Sequence, residues 1–223
     1  MDEAFITASV RGVLESLPPG VSVVVAAKSR TVEQVRVAIR AGVPCIGHNY
    51  VQEAEAMIPL IKEPVRWHMI GHLQRNKVKN AVKLFDMIET VDSLRLAREI
   101  EKRCAAIEKV MPVLVEVNSG REGSKTGVLP EELEELVRKL SEFPHVRVQG
   151  LMTMGPRFGL PEDSRPYFRL TRGAFDGLAA ADIPNTEMRY LSMGMSNSYR
   201  VAIEEGANVV RLGSLLFGPE REV

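Results

Sequence analysis

Lys28 is the first residue in this chain whose type and setting suggest chemistry. It follows Val23–Ala27, five small or β-branched apolar residues. If that run is a strand whose lysine turns inward, water solvates the side chain poorly. Desolvation disfavours the ammonium and favours the neutral amine, a nucleophile towards a carbonyl. A solvated lysine at a strand end is the plainer alternative, and the position alone does not choose between them.

Two segments near the C-terminal end suit a phosphate. The first, Leu191-Ser192-Met193-Gly194-Met195-Ser196-Asn197-Ser198, is a glycine-containing, hydroxyl-rich turn that runs into a predicted helix over 197–205. The second is Arg211-Leu212-Gly213-Ser214, at the end of the next apolar run. Backbone N–H groups at a helix start, joined by serine hydroxyls, favour a phosphate. Ordinary N-capping by Ser196 or Ser198 uses the same residues. An aldehyde for the lysine and a phosphate for the turns describe a phosphorylated aldehyde. A cofactor of that class and the sugar-phosphate substrate of a Schiff-base aldolase both fit, and the residues leave that fork open.

Other polar residues carry less. His68 and His72 in Trp67-His68-Met69-Ile70-Gly71-His72 stand four apart on a strand and lack acidic neighbours, so no metal site is expected. Asn49 and Asn118 at strand ends serve either as polar contacts or as turn residues. Asn118–Gly127 is too polar and glycine-rich for core and is expected as a mobile rim loop. Cys45 and Cys104 stand far apart with no metal-ligand pattern, the usage of a cytosolic protein with reduced thiols.

Elements must bring these residues together. Short apolar runs at 21–27, 44–47, 66–71, 87–91, 111–117, 147–152, 188–193 and 208–212 have the length of strands buried on both faces. Helical patterns separate them, opening at Thr31, after Ser93, at Pro130, and over 163–181 and 197–205. Eight strands alternating with helices predict a single-domain α/β (β/α)₈ TIM barrel over residues 1–223. An open doubly wound sheet is the alternative, but Ala27-Lys28-Ser29-Arg30 after the first strand is no dinucleotide fingerprint. Little sequence follows the eighth strand, and Ile6, Val10, Val13, Leu14 and Leu17 share helical spacing before the first. An extra N-terminal helix over 2–17 is therefore expected to cover the gap in the outer ring. Function in a parallel barrel sits at the strands' C-terminal ends, where Lys28, His48-Asn49, His72, Asn118, Thr153 and Gly194-Met195-Ser196 all fall. Counting by twos puts Val24, Ala26 and Lys28 on one face, and Val209, Arg211 and Gly213 on one face of the neighbouring strand.

Composition narrows the partners. Lys plus Arg and Asp plus Glu are equal at 29 each, which gives no electrostatic reason to expect nucleic acid or an anionic membrane. No apolar run reaches the roughly 18 residues of a membrane span. Met1-Asp2-Glu3-Ala4-Phe5 lacks the basic-then-apolar pattern of a signal peptide, so a cytoplasmic protein is expected, and a monomer because no exposed apolar helix face stands out.

The chain also resembles a known family, the pyridoxal phosphate homeostasis proteins, which share the fold of the alanine racemase N-terminal domain. The resemblance lies in VVVAAKSRTVEQV, IGHNYVQEA, WHMIGHLQRNKVK, VNSGREGSKTGV, GLMTMGP, LSMGMSNSYRVAIEEGA and VVRLGSLLFG, in family order from residue 21 to 218. It implies pyridoxal 5′-phosphate (PLP) held as a Schiff base on Lys28, with Arg211 facing the pyridine nitrogen. Gly194, Ser196, Gly213 and Ser214 would hold the phosphate, and Asn49 would lie near the ring. Two positions depart from the family pattern. Gly47-His48-Asn49 stands where Gly-Glu-Asn is usual, which removes any acidic role there, and Ser198 stands where Asp is usual, exchanging one N-cap for another. The implied role is intracellular PLP homeostasis by buffering, storage or delivery, with PLP-dependent apoenzymes as the implied partners. Larger relatives that racemise or decarboxylate take a second acid/base from an additional β domain and a partner subunit. An end at Val223 leaves no room for such a domain, so no catalytic turnover is expected. A weak PLP-dependent racemase-like enzyme is the nearest alternative, and the aldolase the more distant one.

Overall fold

The computed structural model describes residues 3–123, 126–156 and 159–218. Asp2 of the expected N-terminal helix and Ser124 and Lys125 of the rim loop lie outside them. Eight parallel strands close in sequence order into a barrel. They are β1 (Ser22–Ala26), β2 (Cys45–His48), β3 (Arg66–Met69), β4 (Met87–Val91), β5 (Met111–Val117), β6 (Val146–Thr153), β7 (Thr186–Ser192) and β8 (Val209–Leu212). Each falls on one of the apolar runs read from the sequence.

Side-chain alternation splits each strand between two environments. Val23 and Val25 of β1 face outward and join the large core beneath the helices. Val24 packs inside the barrel with Cys45, Ile70 and Val209. Val24 lies opposite Arg211 across the β1–β8 pair, so Lys28 and Arg211 share the inner face that period-two counting assigned them.

The outer ring is α1 (Glu3–Ser16), α2 (Val32–Arg40), α3 (Val51–Met57), α4 (Val78–Leu84), α5 (Leu94–Ala105), α6 (Leu133–Leu140), α7 (Arg165–Ala180), α8 (Tyr199–Glu204) and α9 (Ser214–Phe217). Two of the helices the sequence announced carry a side-chain start signal. Thr31 makes a reciprocal capping box with Gln34 at the head of α2. The Ser93 hydroxyl accepts from the Leu96 N–H at the head of α5. Short α3 and α4 have no side-chain cap, and their starts were not foreseen.

The N-terminal helix does what the gap demands. Ile6, Val10 and Val13 of α1 are buried, and the helix packs against α2 and the four-residue α9. Deleting residues 1–17 should therefore cause aggregation or a large loss of stability. Each buried aliphatic side chain is worth roughly 1.5–3 kcal/mol, against a total of about 5–15. A urea melt of the truncated chain checks this. A soluble, cooperative transition near that of the full chain would make α1 an appendage.

Candidate functional site

A cavity of about 680 Å³ opens at the C-terminal ends of the strands, a size typical of small-molecule sites. Lys28, Asn49, Ser196, Arg211, Gly213 and Ser214 all line it. Those residues come from four strand ends, β1, β2, β7 and β8, so the closure of the barrel is what brings them together.

Gly194 does not line the cavity. Its φ is +90°, and an added Cβ would sit 2.6 Å from the Ala202 Cβ and 2.8 Å from the Tyr199 Cα. Glycine thus lets the turn after β7 fold hard onto α8, which sets Met195, Ser196 and Asn197 on the cavity wall. The Gly194 carbonyl also accepts from the Arg211 N–H, tying this turn to β8.

The hydroxyls play other parts than capping. Ser198 precedes α8 but makes no side-chain cap; its oxygen accepts instead from the Met195 N–H at 3.3 Å. Replacement of the usual Asp there keeps a turn-closing acceptor, not a helix cap. Ser196 Oγ accepts from the Gly213 N–H at 3.4 Å and from the Leu215 N–H at 3.3 Å. Two backbone donors from the turn after β8 thus converge on one oxygen at the cavity wall. Ser214 lines the wall beside them.

Below this wall lies a buried polar string. Arg211, only 5 % exposed, donates from Nη1 to Ser192 Oγ at 2.7 Å and from Nη2 to the Thr153 carbonyl at 2.8 Å. Ser192 Oγ donates to Glu89 Oε2 at 2.7 Å, and Glu89 Oε1 meets His68 Nδ1 at 2.7 Å. Burial pushes the Glu89 carboxyl up, but His68, Arg211 and Ser192 outweigh it and hold the group below its ordinary value. Sequence reading missed Glu89, and it placed Ser192 in the phosphate-suited turn without foreseeing its link to Arg211. The one available signal was a glutamate inside Met87–Val91, a run otherwise apolar apart from Thr90.

Arg30 was also missed as a wall residue. It is two residues beyond Lys28, donates to the Gly218 carbonyl at 2.8 Å and lies over the Phe217 ring, which pins the turn carrying Ser214. Asn118 is not in the wall; its amide closes the rim loop onto both backbone groups of Glu122. His72 approaches Asp92 at 3.7 Å, and among the described residues no cluster of metal-ligating side chains exists.

His48 points away from the cavity. It is fully buried in the outer layer, stacked on Trp67 and tilted against Phe85, and neither ring nitrogen has a hydrogen-bond partner among the described residues. Residue 48 is therefore a packing position, and its departure from the family pattern leaves the cavity wall untouched. Burial lowers its pKa from 6.5 to about 4. The unfolded chain then binds the extra proton between those values, so stability falls as pH drops from about 6.5 towards 4. Each pKa unit is worth about 1.4 kcal/mol, so wild type should lose roughly 3 kcal/mol more than His48→Leu over that window. Urea melts of both proteins at pH 7 and pH 4 measure it; parallel losses would clear His48 of the effect.

The donor set can now be matched to a ligand. It comprises a lysine amine, a guanidinium, two serine hydroxyls and converging backbone N–H groups, with Asn49 also in the lining. These are complementary to a compact molecule that carries a carbonyl and a phosphate. Residues 5–221 match the family described as alanine racemase, N-terminal domain. The pyridoxal phosphate homeostasis protein of Aquifex aeolicus is 44% identical over 88% of this chain and 86% of its own. This chain belongs to the pyridoxal phosphate homeostasis protein family. The structure of PipY from Synechococcus elongatus with PLP bound superposes with a TM-score of 0.88 at 30% identity, over 96% of this chain and 100% of that one. An alanine racemase of Clostridium difficile shares the fold, with a TM-score of 0.80 at 16% identity, over 99% of this chain and 57% of that one. Among the described residues, no helix is long and apolar enough to cross a membrane.

Proposed function

We propose that this family member binds PLP in the C-terminal cavity and serves intracellular PLP homeostasis by buffering, storing or delivering it, without catalytic turnover. When bound, PLP supplies an aldehyde and a phosphate. Lys28 would supply the amine that holds the first. Ser196, Ser214 and the Gly213 and Leu215 N–H groups would hold the second, and Arg211 and Asn49 would contact the ring. The PipY chain that carries PLP is matched along its whole length, so a barrel of this extent suffices for binding in that relative.

One observation carries the carrier reading over an enzyme. The described lining of the cavity holds Lys28, Arg30 and Arg211 as its ionisable side chains, with no Asp, Glu, His, Cys or Tyr among them. Racemisation needs a proton acceptor and a donor on opposite faces of the substrate carbon, and a positioned group of that kind contributes about 10²–10⁴-fold. Lys28 alone offers one face. Absence of turnover is therefore expected from purified protein saturated with PLP and supplied with each common amino acid. Chiral chromatography and amine release read the result. A steady rate near 1 per second, ordinary for an enzyme, would overturn the carrier reading in favour of a racemase-like one.

The supporting setting is a single barrel domain acting as a cytoplasmic monomer. Both cysteines are buried and unpaired with each other, in keeping with a reducing compartment. The exposed large apolar side chains among the described residues, Phe5, Tyr50, Leu60, Ile107, Val110, Leu160, Leu170 and Leu215, are scattered along the chain. PLP-dependent apoenzymes are the recipients that delivery implies.

A further inference from the structure

We propose that Glu89 is the positioning residue for Arg211, an internal counter-charge that aims the guanidinium at the bound ring, with Ser192 as the link and His68 as the anchor. The inference rests on the PLP reading above and extends it to the layer beneath the cavity.

Hydrogen-bond direction makes the string unambiguous. An ionised carboxylate only accepts. The Ser192 hydroxyl therefore spends its one proton on Glu89 Oε2 and presents a lone pair to Arg211 Nη1. His68 must likewise donate from Nδ1 to Glu89 Oε1. Thr153 takes the other terminal nitrogen of Arg211 through its carbonyl. That carbonyl is itself held: the Thr153 hydroxyl donates to the Val117 carbonyl and is paired with Ser119. Both ends of the guanidinium fork are thus fixed, in a residue that lines the cavity.

Charge assigns the role to Glu89 and not to Glu116, the other carboxylate within electrostatic reach of Arg211. Burial pushes Glu116 up, and its Oε1 is spent on Thr126. Glu89 has no solvent exposure and is held in its charged form. A buried arginine left without that partner reorients or draws in water. Arg211 sits two residues below Gly213 on the same face of β8, under the phosphate donors, so its contact falls on the ring and spares the phosphate.

The test uses Glu89→Gln, which keeps shape and loses charge, and Ser192→Ala, which keeps charge and breaks the link. Leu114→Ala, in the same barrel interior without a polar contact, controls for general destabilisation. Both PLP and pyridoxal should bind each of the first two variants about tenfold or more weakly, the loss of one hydrogen bond to a charge. The absorption band of the bound ligand should shift in both, while Leu114→Ala lowers the melting temperature and leaves the band in place. In ligand-free protein, NMR should resolve slow rotation of the Arg211 guanidinium in wild type and averaging in Glu89→Gln and Ser192→Ala. Unchanged binding and band in both variants, an equal band shift in Leu114→Ala, or identical guanidinium dynamics throughout would each overturn the assignment. If wild type takes up neither ligand while the guanidinium responds as expected, the PLP reading is the part that fails. Should Glu89→Gln not fold, Ser192→Ala carries the same comparison.

Discussion

Lys28→Ala is expected to abolish the visible absorbance of protein-bound PLP while leaving the barrel folded. The lysine is only partly buried at the rim, and the packing beneath it belongs to Val24 and Ala26. Removing the side chain opens no core cavity, so the usual penalty of a large-to-small change does not apply. The covalent anchor is lost outright, because a Schiff base needs a primary amine. Absorbance spectra with and without borohydride, followed by peptide mapping, make the measurement. A reducible adduct that survives in the variant would move the anchor to another lysine, whereas a colourless wild type would return attention to the aldolase alternative.

The shared face of Lys28 and Arg211 was legible in the sequence for a local reason, whereas the Schiff base itself was implied by the family resemblance. A strand alternates faces with period two, so Val24, Ala26 and Lys28 had to share a side, and closure of eight strands had to seat them beside Arg211. Capped helices were equally legible, since Thr31 and Ser93 write their starts into the sequence. What stayed hidden depends on long-range encounter. Glu89 meets Ser192 across 103 residues, and neither residue's neighbours announce the other. His48 shows the same limit in reverse. Its position next to Asn49 suggested a place at the site, yet one step along a strand turns a side chain to the opposite face, where Trp67 and Phe85 enclose it. The serines fell between these cases. Their grouping near a phosphate was visible beside the capping alternative, and only the fold shows the Ser196 oxygen receiving N–H groups from the next turn.

Those serines set up the sharpest test of how the ligand is held. A Schiff base is reversible and lets any aldehyde compete for Lys28, so selectivity for PLP must come from the phosphate end. On the proposed placement that end meets Ser196 and Ser214, which line the cavity, and the Gly213 and Leu215 N–H groups already converge at 3.3–3.4 Å on Ser196 Oγ. A dianion in reach of these groups gains charge-assisted hydrogen bonds, each worth on the order of 1.5–3 kcal/mol. Replacing both serines by alanine should weaken PLP by about two to four powers of ten. Pyridoxal, which has the aldehyde and the ring but no phosphate, should bind the double variant almost as it binds wild type. Titrating both ligands against both proteins gives a ratio of ratios that general loosening of the pocket cannot mimic, since loosening lowers both affinities together. It also separates this wall from the layer below, where Glu89→Gln should weaken the two ligands alike. Equal losses for PLP and pyridoxal in the serine variant would therefore place the phosphate elsewhere in the cavity and leave Ser196 as a brace for the turn after β8.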